Sequence, residues 1–150
     1  MSLDLYLRGD PRSVIGASGI YIRVGGENFE ITRAEWDRRN PGREPVRSIS
    51  DNAETTDVWH RNITHNLNGM AMEAGLYEAL WRPDEIGATH AHMLIERVEA
   101  GLARLVSAPE RFARLNPKNG WGNYDLLVDF TQSFLAACKA NPNSTVHTDR

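Results

Sequence analysis

Between Val58 and Trp81 the hydrophobic period of the chain changes, and that change constrains the fold more than any other feature. Val58, His60 and Asn62 alternate with Trp59, Arg61 and Ile63, the two-residue period of a strand. Beyond Ile63 the apolar residues Leu67, Met70, Ala71 and Ala74 return every three or four positions, as on one face of a helix, and Gly75 is placed to cap its C-terminus. A strand that turns into a helix within two or three residues calls for a fold that buries both kinds of element in one core. The junction also gathers His60, Asn62, Thr64, His65 and Asn66. The first amides of a helix lack intrahelical partners and carry partial positive charge, so an anionic or strongly polar ligand is expected there.

The flanking segments follow the same logic. Leu3, Leu5 and Leu7 alternate with Asp4 and Tyr6 in an N-terminal strand. A turn-rich connection at 10–19 leads to Ile20, Ile22 and Val24, and Phe29 and Ile31 resume the alternation after Gly25-Gly26, predicting a hairpin over 20–33. Residues 33–55 are polar, with Pro41 and Pro45 and little periodicity, and read as a long surface loop, a candidate mobile segment or lid. Leu76, Tyr77, Leu80 and Trp81 make a short helical piece, which Arg82-Pro83 stops. Pro83, Asp84 and Glu85 then open a helix carrying Ile86, His90, Leu94, Val98, Leu102 and Leu105. After one turn near Pro109, Asn123 caps a last helix with the stripe Leu127, Thr131, Phe134, Leu135 and Cys138. Asn141-Pro142 ends it, and 144–149 alternates as a closing strand paired with the first. The expected fold is α+β, a single domain over 1–150: a small antiparallel sheet of the N-terminal strand, the hairpin, the strand near 56–62 and the C-terminal strand, covered by three to four helices.

Bulk properties exclude several functions. A net charge of −3 and a pI near 5.9 give no overall attraction to nucleic acid or to anionic membrane. Arg33, Arg38, Arg39, Arg43 and Arg47 form a local basic stretch, either a solvated loop or a phosphate-binding patch. One cysteine, Cys138, rules out a disulfide framework. No signal peptide or membrane-spanning run is visible, so a cytoplasmic protein is expected and the sequons at Asn62 and Asn143 are chance matches.

Three polar and aromatic clusters carry the candidate chemistry: His60, Asn62, Thr64, His65 and Asn66; Trp81 and Arg82; and Asn119, Trp121 and Tyr124, with Arg150 as a further contributor. Aromatic rings stack on bases or sugars, arginine pairs with phosphate in a fork, and asparagine amides read base edges or ribose hydroxyls. Together they suit a nucleotide-like small molecule. Structural roles compete at each position: Trp59 and Trp81 also fit as core residues, His90 as a core histidine on its helix stripe, Asn119 as a turn residue. No G-x-S-x-G, P-loop or G-x-G-x-x-G is present, and no catalytic residue, metal or cofactor is assigned. His60 and His65 are the best acid–base candidates, with Asp57, Glu73 or Asp125 as partners.

The phrases N-I-T-H-N-L at 62–67, A-G-L-Y-E-A-L-W-R-P at 74–83 and N-P-K-N-G-W-G-N-Y at 116–124 resemble a group of small, largely uncharacterised proteins of phages and prophage-bearing bacteria. The likeness extends to the opening S-L-D-L-Y-L and to the terminal Arg150, while 9–57 looks like the divergent part. The resemblance implies context: small phage proteins with a polar, aromatic-lined pocket and no catalytic motif include binders that sequester nucleotide-derived immune signals of the host, often as oligomers. Such a binder is the first expectation. A metal-independent hydrolase or lyase on a similar ligand is the second, and a protein-binding inhibitor of a host enzyme is the third.

Overall fold

A computed structural model of the chain describes residues 1–9, 18–46 and 56–150. Among them are the strands β1 (Ser2–Gly9), β2 (Ile20–Val24), β3 (Glu27–Ile31), β4 (Thr56–Thr64) and β5 (Thr145–Asp149). The helices are α1 (Arg33–Arg39), α2 (Asn68–Glu73), α3 (Tyr77–Trp81), α4 (Ile95–Ser107), α5 (Pro109–Ala113) and α6 (Tyr124–Ala140). The fold is α+β. Contacts divide the chain into two compact units, Met1–Leu7 with Trp59–Arg150, and Arg8–Val58.

In the first unit β1 runs between β4 and β5 in a three-stranded antiparallel sheet. Leu3, Leu5 and Leu7 are fully buried on one face of β1, as its alternation requires. On β4 the same face carries Trp59, Arg61 and Ile63, and α6 lies against it. Trp59 packs edge-on to Phe130 at 5.6 Å and donates its indole N–H to Ser133 Oγ at 2.9 Å. Arg61 sits over the Phe130 ring and pairs with Asp129 at 2.9 Å. Phe130, Phe134, Val98 and Leu105 close the core between α4 and α6, each aromatic contributing roughly 1.5–3 kcal/mol by burial.

Helix α2 ends as the spacing predicts. Gly75, at φ +72°, donates to Met72 O, and Leu76 donates to Ala71 O, the paired bonds of a glycine-terminated helix. Helix α6 begins on Asn123, whose Oδ1 accepts from Leu126 N at 2.8 Å. The helix expected to run unbroken from Pro83 to beyond Leu102 does not form as one. Gly87 takes φ +69° and ends a single 3₁₀ turn, Pro83–Ile86. Residues 89–92 then hydrogen-bond to the chain entering β5: Ala91 N to Ser144 O, His92 N to Pro142 O, and Val146 N to Thr89 O. The backbone groups of this edge strand take partners that a continuous helix would have kept to itself. His90 is therefore extended and half-buried, bridged to Thr145, and not a core histidine on a helix stripe.

The second unit holds the predicted hairpin. Val24 pairs with Glu27 around Gly25 and Gly26, whose φ values of 59° and 87° are those of a two-residue hairpin turn. It forms its own two-stranded sheet. The loop expected over 33–55 begins instead as helix α1. Thr32 caps it by accepting from Glu35 N at 3.2 Å, and Glu35 pairs with Arg38 and Arg39. Arg33 is bound by Asp37 and, in a fork, by Glu44, so these arginines are tied to acidic neighbours in their own segment. Residues 40–46 continue as turn and irregular chain, as a loop would, while 47–55 of that expected loop and 10–17 of the expected connection lie outside the described residues.

Candidate functional site

The strand-to-helix junction is tighter than its sequence implied, and three of its amides are taken. His65 N donates to Met1 O, Asn66 N to Thr64 Oγ1 and Asn68 N to His65 O. In place of one long helix, a three-residue 3₁₀ turn, capped by Thr64, leads into a helix of six residues.

What the junction does build is the wall of a cleft of about 430 Å³. His65 and Asn68 face it from one side, Tyr77, Trp81 and Arg82 from α3 and its end, and Arg150 from the end of β5, with Met1 at the margin. Tyr77 and Trp81, four residues apart, fall on the same helix face and stack at 6.0 Å with 17° between their planes. Trp81 is 1% exposed, so Tyr77 supplies the accessible ring.

Polar contacts orient this wall. Trp81 Nε1 donates to His65 Nδ1 at 2.9 Å. An indole N–H only donates, so Nδ1 is the accepting nitrogen and the ring proton sits on Nε2. Trp81 O accepts from Arg150 Nη1 at 3.0 Å, and the same guanidinium grips Asp84 with both terminal nitrogens at 3.2 Å. Hydrogen bonding to Arg150 holds the Asp84 carboxyl below its ordinary range. Arg82 donates Nε–H to the Tyr77 hydroxyl at 3.3 Å and lies 3.7 Å from Glu85. Asn68 Oδ1 is buried and has no hydrogen-bond partner among the described residues.

Four of the eleven expected site residues, His65, Trp81, Arg82 and Arg150, meet in this cleft. His60 and Asn62 lie on the other face of the sheet. There His60 Nε2 is 2.8 Å from Asp4 Oδ1, its ring stacks on Tyr6 at 4.3 Å, and Asn62 Nδ2 donates to Asp4 Oδ2 and Ser2 Oγ. The partner of His60 is thus Asp4, while Asp57 pairs with Arg8 and Glu73 with Arg111. Thr64 serves as a cap, and Asn66 is bonded back to it through both its backbone and its side-chain amide. Asn119 accepts from Trp121 N inside its own turn, and Tyr124 donates to Leu105 O, joining the start of α6 to α4. Trp121 is 70% exposed and does not line the cleft. The turn nevertheless reaches the junction at Gly122, where a Cβ would meet Thr64 Cγ2 at 2.7 Å.

Asn68 and Tyr77 were not among the expected site residues. Their signal was positional: Asn68 is one helical step from His65, and Tyr77 one from Trp81. Among the described residues no group of three or more His, Cys, Asp or Glu could hold a metal ion, and no helix is long and apolar enough to cross a membrane. No family model matches the chain, nor does any curated protein or solved structure.

Proposed function

We propose that this chain binds a nucleotide-like anion in the cleft of His65, Asn68, Tyr77, Arg82 and Arg150. The observation that carries the reading is the meeting in one cleft of the accessible Tyr77 ring with His65 and the guanidinium groups of Arg82 and Arg150, beside a buried acceptor, Asn68 Oδ1, that has no hydrogen-bond partner among the described residues. A buried acceptor left unpaired costs roughly 1–3 kcal/mol. A ligand that is anionic at one place and offers a ring to Tyr77 answers the arginines and the aromatic wall at once, and a nucleotide has that distribution. The resemblance to phage proteins supplies the setting, in which the bound molecule is a nucleotide-derived signal of the host and binding withholds it.

The test begins with a thermal-shift screen of AMP, cyclic dinucleotides and ADP-ribose. A ligand at 100 times its Kd stabilises the fold by about 2.7 kcal/mol. The variant Asn68→Leu, which replaces the unpaired acceptor with an apolar group of similar volume, is expected to raise the Tm of the unliganded protein and to weaken the hit. A variant that melts lower and binds equally well sinks this assignment.

A second reading, a metal-independent hydrolase or lyase, draws on the His60–Asp4 pair at 2.8 Å, an orientation suited to a general base. It is discriminated by chromatography of ligand recovered after heat denaturation. Intact ligand supports the binder; cleaved ligand, with cleavage lost in His60→Ala, supports the enzyme.

A further inference from the structure

Arg150 belongs to two hollows. It lines the cleft described above, and together with its ion-pair partner Asp84 it also lines a second one of about 450 Å³. Each is within the range of an ordinary small-molecule site. The guanidinium stands at the boundary because its two anchors come from the two sides: the Trp81 carbonyl from the first wall and the Asp84 carboxylate from the second. The break at Gly87 creates this second hollow, since residues 88–89 fold back beside β5 instead of continuing a helix. Its chemistry differs from that of the first. Pro83, Ala88 and Val146 give an apolar floor, and Thr89, His147 and Thr148 add hydroxyl and imidazole groups, a lining suited to a polyhydroxylated ring.

We infer that the two hollows form one bipartite site for a nucleoside diphosphate whose second phosphate carries a sugar. The base and first sugar lie against Tyr77 and Asn68, the diphosphate lies along Arg82 and Arg150, and the second sugar lies against Thr89, His147 and Thr148. This inference rests on the nucleotide reading of the first cleft. Asp84 has a defined part in it. Its carboxylate occupies two donors of the Arg150 fork in the geometry a phosphate would use, so it competes with the ligand's diphosphate for that charge.

Calorimetric titration of the full chain with ADP-ribose and with AMP tests this. ADP-ribose is expected to bind at least tenfold more tightly than AMP, a difference of about 1.4 kcal/mol. His147→Ala and Thr148→Val should reduce that advantage several-fold while leaving AMP affinity unchanged, the part due to the second phosphate remaining, and Asp84→Asn should tighten ADP-ribose several-fold. Equal affinities for the two probes, or an ADP-ribose preference undiminished in both variants, overturn the bipartite site and leave the single-cleft reading intact. Failure of both probes to bind overturns the nucleotide reading and this inference with it.

Discussion

Trp81 commits both of its polar groups to the cleft, its indole N–H to His65 and its carbonyl to Arg150, while its ring belongs to the core. In the binding site proposed above it acts as a positioning residue, and its burial in the core is compatible with that part. Asp4 is similarly placed on the other face of the sheet. Hydrogen bonds from His60 first and Asn62 second hold its carboxyl below its ordinary value. A carboxyl whose folded pKa is depressed contributes stability that is fully present above its unfolded pKa, about 3.9, and lost as pH falls through the folded value. Asp4→Asn should thus be less stable than the parent at pH 7, with the gap closing below about pH 4. Urea denaturation across that range checks it, and a pH-independent gap would remove the pair from the acid response. Cys138 is fully buried, and burial pushes its thiol up to about 12. It should resist alkylation in the folded protein and react only on unfolding, which mass spectrometry after iodoacetamide treatment in rising urea would read out.

Among the elements, α4 and the turn after α2 approach so closely that only glycine fits at Gly101. A Cβ there would run into the buried Leu76 side chain and lie 3.1 Å from Ala74 O. Gly101→Ala is expected to destabilise the fold by about 1–3 kcal/mol despite the better helix propensity of alanine. Asn123→Ala, by removing the cap of α6, should cost about 1 kcal/mol. Both are read from chemical denaturation, and a Gly101→Ala protein as stable as the parent would mean that α4 can move away from Leu76. The elements legible in advance were those whose apolar spacing or terminal residues act locally: β1, the Gly-Gly hairpin, the Gly75 stop and the Asn123 cap. Helix α1 was missed because it buries no residue, so no stripe marks it; its signal was the cap spacing Thr32 to Glu35 with acidic and basic residues one turn apart. The expected long helix after Pro83 failed for a different reason. Its spacing was helical, but Gly87 and the edge of β5 drew the backbone into another pairing.

Across the whole molecule, stability should be uneven. The first unit buries three leucines of β1 with Phe130 and Phe134 of α6 in one core, whereas β2 and β3 form a two-stranded hairpin whose side chains are mostly exposed. Native-state hydrogen exchange is expected to show the amides of α4 and α6 opening only with global unfolding and those of the hairpin opening at lower free energy. Equal protection in both would contradict that picture. The α+β class, the elements marked by apolar period, caps or turn residues, and the polar, aromatic character of the candidate site follow from residue order, because those signals act over a few positions of chain. Which polar residues share one cleft does not follow from it. His65, Tyr77 and Arg150 meet, while His60 turns to the opposite face with Asp4 and Trp121 points to solvent, because strand pairing and the packing of α3 bring together groups far apart in the chain, and no local pattern encodes such a meeting.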